Sequence, residues 1–433
     1  MKYDIVIIGG GILGTTISYW LSLLSNQNVC VIEKEDRVAA HASSRNTGVV
    51  HSPFYLDPQK KGKIAKAALQ SHALWKDFAK IHNVPWVDIG TIEIALDDSQ
   101  HQILEKYLKW GVANGLNESD LELLNSEKIS KKEPNVKCYS GIYCKKDVST
   151  DYGMLTEKLQ LESKKYGTEF LFNEKIKVKG NKILLYNEKS IDFTFLINCA
   201  GGHSLEIAKQ FGVATEYSNL HFRGEYWKIN PHYQNLVNTN VYSVAKFPNF
   251  PFLDPHWVRR ADGTVEIGPN AVPVLDPEAY DGIGRASKVL SKFGEIISGS
   301  SKKLFFNPEF LYLVSKEWKS SISKKAMVNR VKEFIPKVKP EYFTLRGTAG
   351  IRTPIINKNG TFLPETLEIL TESSLHVLNY NSPGATGAPA YSAHLVKKLS
   401  DAGIVKLNKT PLDRKSTRLN SSHTDISRMP SSA

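Results

Sequence analysis

No stretch of this chain approaches the ~18 uninterrupted apolar residues of a membrane-spanning helix. The apolar run Ile5–Ile8 is cut short by glycines, which also excludes a signal peptide. Cysteine is scarce, four in 433 residues, and Cys30, Cys138, Cys144 and Cys199 form no C-x-x-C pair. That gives no disulfide framework and no metal site, so none is expected. Cys30 and Cys199 sit in apolar strand-like runs and read as small buried hydrophobes, which fits a reducing cytoplasm. A concentrated basic tract is missing too. The net charge is +12, but Lys60, Lys61, Lys63, Lys164, Lys165, Lys302, Lys303, Lys324 and Lys325 are scattered, so nucleic-acid binding is not expected. Spread-out positive charge suits acidic small molecules and permits peripheral attachment to the inner face of a membrane. With 41% hydrophobic and 23% charged residues, the chain is ordinary for a globular protein long enough for two domains.

Asp413–His423 matches a translated sequencing adapter codon by codon, so residues 413–433 are expected to be a disordered artefact, the natural C-terminus being lost after about Leu412.

What is present begins at residue 3. Tyr3–Ile8 is an apolar strand, Gly9, Gly11 and Gly14 form a G-x-G-x-x-G turn, Ile12–Leu24 has helical spacing, and Val29–Ile32 is a second strand ending at Glu33. Gly9 allows a tight turn, Gly11 lets backbone approach a pyrophosphate, and Gly14 lets helix pack on strand. The helix N-terminus offers free N–H groups and a positive dipole end. Glu33, followed by Lys34, suits a ribose diol. The motif alone leaves NAD and FAD both open.

Further along, helical spacing covers Ile64–Ile81, Asp98–Asn114 with Asp98 as cap, Tyr152–Tyr166 up to Gly167, Ala286–Ile297 and Lys316–Phe334. Strands are expected at Thr91–Leu96, Glu169–Phe172, Ile176–Val178, Ile183–Tyr186, Phe193–Asn198, Phe222–Ile229, Trp257–Arg260, Thr264–Ile267 and Leu375–Tyr380. A last helix runs from Gly384 to about Leu399. Phe193–Gly201 is a second apolar strand running into a glycine turn, far from the first, as a cofactor held at both ends requires.

Ala42–His51, following the first βαβ unit, resembles the flavin-contacting segment of FAD-dependent oxidoreductases of the D-amino acid oxidase superfamily. The match is nearest to the L-2-hydroxyglutarate dehydrogenase/oxidase family, which carries N-S-G-V-I-H followed by a tyrosine and a proline. Here Asn46-Thr47-Gly48-Val49-Val50-His51 is followed by Tyr55 and Pro58. Glu133-Pro134, Asp151-Tyr152, Ile197–Gly201, Phe222–Tyr226, Pro251–Leu253, Gly268–Ala271, Gly350–Arg352 and Ser382–Thr386 continue the match in order to about residue 400.

The resemblance implies an α/β (α+β) fold: a discontinuous Rossmann-like FAD-binding domain (1–80, 150–215 and 345–405) and a β-sheet-based substrate domain (81–149 and 216–344). FAD would be held non-covalently by Gly9, Gly11, Gly14, Glu33, Lys34, Ser43, Ser44, Arg45, Asn46, Thr47, Gly48, Ala200, Gly201, Gly350, Pro383, Gly384, Ala385, Thr386 and Gly387. Covalent attachment is not expected, because Asn46 and Thr47 stand near where related amine dehydrogenases use a histidine. Oxidation of a small 2-hydroxy acid, L-2-hydroxyglutarate foremost, would send hydride to flavin N5. Arg352 would clamp the substrate carboxylate and His51 take the hydroxyl proton, with His41 and His376 weaker candidates for the base. Arg223 and Tyr226 would face substrate, although Arg223 could equally pair with Glu225. Electrons would pass to a quinone, a carrier protein or oxygen. Ser52-Pro53-Phe54 departs from the small residues usual in the family. Two other readings stay open: an amino-acid or sarcosine-type amine oxidase on the same scaffold, and a dinucleotide-binding protein without turnover.

Overall fold

The computed structural model describes residues 1–179, 182–185, 189–247, 250 and 254–408, so the expectations for Tyr186, Pro251–Leu253 and 413–433 fall outside them. The strand Lys2–Ile8 is buried on both faces from Ile5 onward, as a central parallel strand must be. Val29–Ile32 and Ser190–Asn198 flank it in parallel. Glu169–Leu171 extends one side, and Ser374–Leu378, backed by antiparallel Leu367–Leu370, extends the other. Parallel strands need crossovers. Four helices, Ile12–Leu24, Gly62–Ile81, Tyr152–Lys165 and Gly384–Asp401, share one core over this sheet through Ile17, Leu21, Trp75, Leu155, Leu159 and Leu395.

A second eight-stranded sheet is mainly antiparallel, in the order Phe343–Arg346, Trp227–Ile229, Val265–Gly268, His256–Arg259, Asn240–Ser243, Thr91–Ala95, Ser140–Cys144, Leu121–Asn125. Its one parallel pair joins Asn240–Ser243 to Thr91–Ala95. The helix Lys324–Lys332 covers it with Met327, Val328 and Val331. Two small three-stranded sheets stitch the layers together. In one, His221–Gly224 lies between Val272–Val274 and Gly350–Arg352. In the other, Val148–Thr150 lies between Val49–Val50 and Trp86–Asp88.

The expected mixed α/β class is what forms, with local corrections. Asp97, not Asp98, caps the helix Asp98–Ala113, its side chain accepting the Gln100 N–H. The helical spacing of Lys316–Phe334 is two helices, Pro308–Ile322 and Lys324–Lys332. Ser323 breaks it because its hydroxyl caps the second. Phe222–Ile229 splits into His221–Gly224 and Trp227–Ile229, which join different sheets.

Candidate active site

The layers enclose one large cavity of about 570 Å³, a volume typical of small-molecule sites. The glycine turn forms one end. A Cβ on Gly14 would collide with the Gly9 carbonyl oxygen, and one on Gly9, at φ +106°, would meet the Cys199 carbonyl at 2.6 Å. Gly14 therefore supports the turn without lining the cavity, while Gly9, Gly11, Glu33 and Lys34 line it. Glu33 is buried and braced, accepting the Gly10 N–H at 2.7 Å and the Glu35 N–H at 3.0 Å. Each carboxylate oxygen keeps a lone pair for a further donor.

Two helices, Ile12–Leu24 and Gly384–Asp401, begin on this cavity, and neither has an acidic residue in its first turn. Two positive dipole ends converge on one space, which fits a diphosphate and an electron-rich ring system. Ser43 accepts the Ile12 N–H at 2.9 Å, so its hydroxyl sits at the first helix start. Ser43, Arg45, Asn46, Thr47, Ala200, Gly201, Gly350 and Pro383–Thr386 all line the cavity. Ser44, Gly48 and Gly387 do not. Ser44 bonds back to the Ala39 carbonyl, Gly48 (φ +73°) packs on the Thr150 carbonyl, and Gly387 packs on Ala67 and Ala68. These three shape the wall from behind.

A strap of the β-rich layer, 276–285, closes over the cavity near the first helix. Tyr280 donates to or accepts from His41 Nδ1 at 2.6 Å and lies under the Arg45 guanidinium at 4.0 Å. Glu278 pairs with Lys34 at 2.7 Å and with His203 at 2.9 Å. Glu35, His41 and Glu278 are spaced to ligate a metal ion, but the Lys34 ammonium already lies among them, 2.7 Å from His41 Nε2. His41 is thus a strap contact. His376 is fully buried between Asn198 and Ser374, and burial pushes its pKa down to about 4.

The His51 end of the cavity follows from strand register. Val50 pairs with Val148 in antiparallel fashion, which brings the next residues, His51 and Asp147, together. His51 Nδ1 lies 3.4 Å from Asp147 Oδ2, and Asp147 Oδ1 accepts the Ser52 N–H at 2.7 Å. Asp147 is fully buried. Burial alone would raise its pKa, but His51, the Ser52 N–H and Thr91 outweigh that and hold the carboxyl below the usual range. The His51 N–H reaches Thr386 Oγ1 at 3.2 Å, and Thr386 also bonds the Tyr152 hydroxyl at 2.9 Å. The last helix and the histidine are therefore tied together.

Arg352, on the strand Gly350–Arg352, lines the same cavity. Burial pushes its pKa down, against the opposing pull of Tyr226 and Tyr55. Tyr226 and Phe222 also line the cavity, whereas Arg223 does not. The expectation of an Arg223–substrate contact is corrected by strand alternation: Phe222 and Gly224 face inward and Arg223 faces away. Its guanidinium pairs with Glu225 at 2.9 Å, bonds the Ala279 carbonyl at 2.9 Å and also bonds the Gly282 carbonyl, so it anchors the strap.

Spacing gave no hint of Asp147, Tyr242 or His256. Tyr242 stands edge-on to His51 and stacks on His256 with ring centroids 4.0 Å apart. Its buried hydroxyl has no hydrogen-bond partner among the described residues, and the ring lines the cavity. His256 donates Nδ1–H to the Asp254 carbonyl at 3.0 Å, and burial pushes its pKa down to about 3, so the ring is neutral with Nε2 as acceptor. Glu93, paired in register with Tyr242, is pushed up to about 8 by burial and then by Asp147.

Residues 4–399 match the family model "FAD dependent oxidoreductase". L-2-hydroxyglutarate dehydrogenase of Indibacter alkaliphilus is 31% identical over 403 residues, 90% of this chain and 96% of that protein. The mitochondrial L-2-hydroxyglutarate dehydrogenase of Homo sapiens is 28% identical, with 92% and 89% covered. Among solved structures, FAD-bound L-alpha-glycerophosphate oxidase from Mycoplasma pneumoniae superposes with a TM-score of 0.75 at 21% identity, covering 95% of this chain and 97% of that one. Glycine oxidase from Geobacillus kaustophilus superposes at 0.65 and 16% identity, covering 96% and 99%. With the two helix starts, the glycine turn and the braced Glu33 sharing one cavity, the chain belongs to the FAD dependent oxidoreductase family and is an FAD-dependent enzyme of the D-amino acid oxidase superfamily.

Proposed function

We propose that this enzyme oxidises a small 2-hydroxy acid, L-2-hydroxyglutarate foremost, to the 2-oxo acid. The observation that carries this reading is the His51–Asp147 pair in one cavity with Arg352. FAD, held non-covalently between the two helix starts, supplies the acceptor for the substrate hydride. Ser43 and Arg45 at the first helix start, and Ala385 and Thr386 at the last, are the groups placed to hold it. Arg352 offers a planar, two-pronged donor to the substrate carboxylate. His51 Nε2 takes the hydroxyl proton, while Asp147 on Nδ1 fixes the tautomer and stabilises the imidazolium that forms. Tyr242 and His256 complete the polar wall. The electrons taken from the substrate would leave the enzyme on a quinone, a carrier protein or oxygen.

The test is anaerobic bleaching of the purified holoenzyme. L-2-hydroxyglutarate should bleach the flavin absorbance within seconds, and shorter 2-hydroxy acids should do so more slowly. Bleaching by glycine, sarcosine or proline but by no 2-hydroxy acid would overturn the assignment in favour of an amine oxidase. A protein that takes up no FAD would overturn the enzymatic reading altogether.

A further inference from the structure

We infer that a second, smaller cavity beside His51 is the exit for the proton that His51 takes from the substrate, and that His72 carries it to solvent. The inference rests on the proposed role of His51 as the base. The small cavity, of about 170 Å³, is lined by His51, Ser52 and Lys146 and by Leu69, His72 and Ala73 of the helix Gly62–Ile81. His51 is the one residue that lines both this cavity and the large one. Ala73 is exposed, so the small cavity reaches the surface. Water takes about 30 Å³ per molecule, which leaves room here for a short chain of them between polar groups. The large cavity offers no such way out, because in the proposed reaction the product still fills it when the proton must leave.

His72 is set up to receive a proton. Its Nε2–H donates to the Lys146 carbonyl at 2.9 Å. A carbonyl only accepts, so Nδ1 is the acceptor in the neutral ring, and no hydrogen bond occupies Nδ1 among the described residues. Trp86 stands edge-on to the ring, centroids 5.4 Å apart, and steadies it. Two adjacent residues hold both imidazoles. The Lys146 carbonyl holds His72, and the Asp147 carboxylate lies 3.4 Å from His51 Nδ1. The Lys146 ammonium pairs with Asp120 at 2.7 Å, which offsets a fixed positive charge beside a route that carries a cation. Imidazole is the side chain that takes up and gives up protons near neutral pH. The steps balance. The substrate gives its hydride to the cofactor and its hydroxyl proton to His51. An N–H bond of the imidazolium then breaks as water in the small cavity gains the proton. A new N–H bond forms at His72 Nδ1 and is broken in turn by bulk water. No electrons move in this relay, and His51 is reset while the 2-oxo acid is still bound.

Proton release and flavin bleaching can be followed together. The oxidised holoenzyme is mixed anaerobically with L-2-hydroxyglutarate in weak buffer containing a pH-indicator dye. In the wild type the dye should change in step with bleaching. In His72→Gln the amide can still donate to the Lys146 carbonyl but cannot carry a proton. In that variant, and in His72→Phe, the dye should lag behind bleaching at least ~10-fold, and added imidazole should close the lag. Turnover of both variants should fall in weak buffer and recover with imidazole. The glutamine variant decides alone where the phenylalanine variant does not fold. A dye change that keeps step with bleaching in His72→Gln would overturn the proposal and leave the role of His51 standing. So would a lag that imidazole does not shorten, which is the mark of a purely structural His72. Bleaching by no 2-hydroxy acid at all would overturn the proposal together with the reading on which it rests.

Discussion

Replacing Asp147 by asparagine keeps volume and removes one buried charge. The carboxylate lies 3.4 Å from His51 Nδ1, and at an effective dielectric of ~20 a full charge pair at that distance is worth at most about 5 kcal/mol. Solvation changes and relaxation reduce this, so about 3–4 kcal/mol is expected in the barrier, a 10²- to 10³-fold slower flavin reduction. Tautomer chemistry acts in the same direction. The Ser52 N–H at 2.7 Å demands an acceptor, which turns the asparagine oxygen toward it and its NH2 toward His51. Nδ1 then becomes the acceptor and Nε2 carries the proton, the wrong state for a base. Anaerobic stopped-flow of the variant at saturating substrate measures the step. FAD content and substrate KM should stay near wild type, because Asp147 lines neither the cofactor nor the substrate space. Reduction within threefold of wild type, at full FAD content, would refute the pair's role.

Arg352→Ala should raise KM for the 2-hydroxy acid about 10- to 150-fold, from the ~1.5–3 kcal/mol of charged hydrogen bonds lost, with FAD content held; an unchanged KM in steady-state kinetics would refute the clamp. Gly14→Ala places a methyl against the Gly9 carbonyl oxygen and should cost about 1–3 kcal/mol, lowering Tm and weakening FAD binding in a fluorescence titration. The strap should respond to pH. Burial disfavours charged His203, but Glu206 and Glu278 outweigh it and its pKa is raised on folding. The stabilisation is therefore complete below the unfolded histidine value of ~6.5 and is lost as pH rises through the raised folded pKa. FAD release, followed by flavin fluorescence, should speed up across that upper window; a flat rate from pH 6 to 9 would remove His203 from the strap. Glu278 is held well below the usual carboxylate range by His203 and Lys34, so it stays ionised throughout that window.

The cofactor end was legible because its signals are local. A strand, three glycines, a helix and an acid within 33 residues fix each other's geometry through chain connectivity, and Lys2–Ile8, Ile12–Leu24 and Val29–Ile32 form as that pattern requires. The helix Pro308–Ile322 carried an equally local signal, Asn307 as cap and Pro308 in the first turn, which the longer periodic run of Lys316–Phe334 obscured. The His51–Asp147 end was not legible in the same way. His51 and Asp147 are 96 residues apart, and only the two-residue ladder Val49–Val50 against Val148–Ser149 brings them together. Tyr242 and Glu93 become neighbours through the one parallel pairing in an otherwise antiparallel sheet, which no alternation pattern announces.

Arg223 shows how the two ends are linked. Its place beside Phe222 on a cavity strand suggests substrate, but the period of two sends the guanidinium to the other face. There it holds the carbonyls of Ala279 and Gly282, while its partner Glu225 is fixed by Asn270 and Arg346. The strap so anchored carries Glu278 and Tyr280 across to Lys34, His203 and Arg45. One strand thus presents Phe222 to the cavity on its inner face and braces the cofactor strap on its outer face. The strap over the cavity is thus anchored on the β-rich layer, a part of the chain that contains none of the glycine fingerprint.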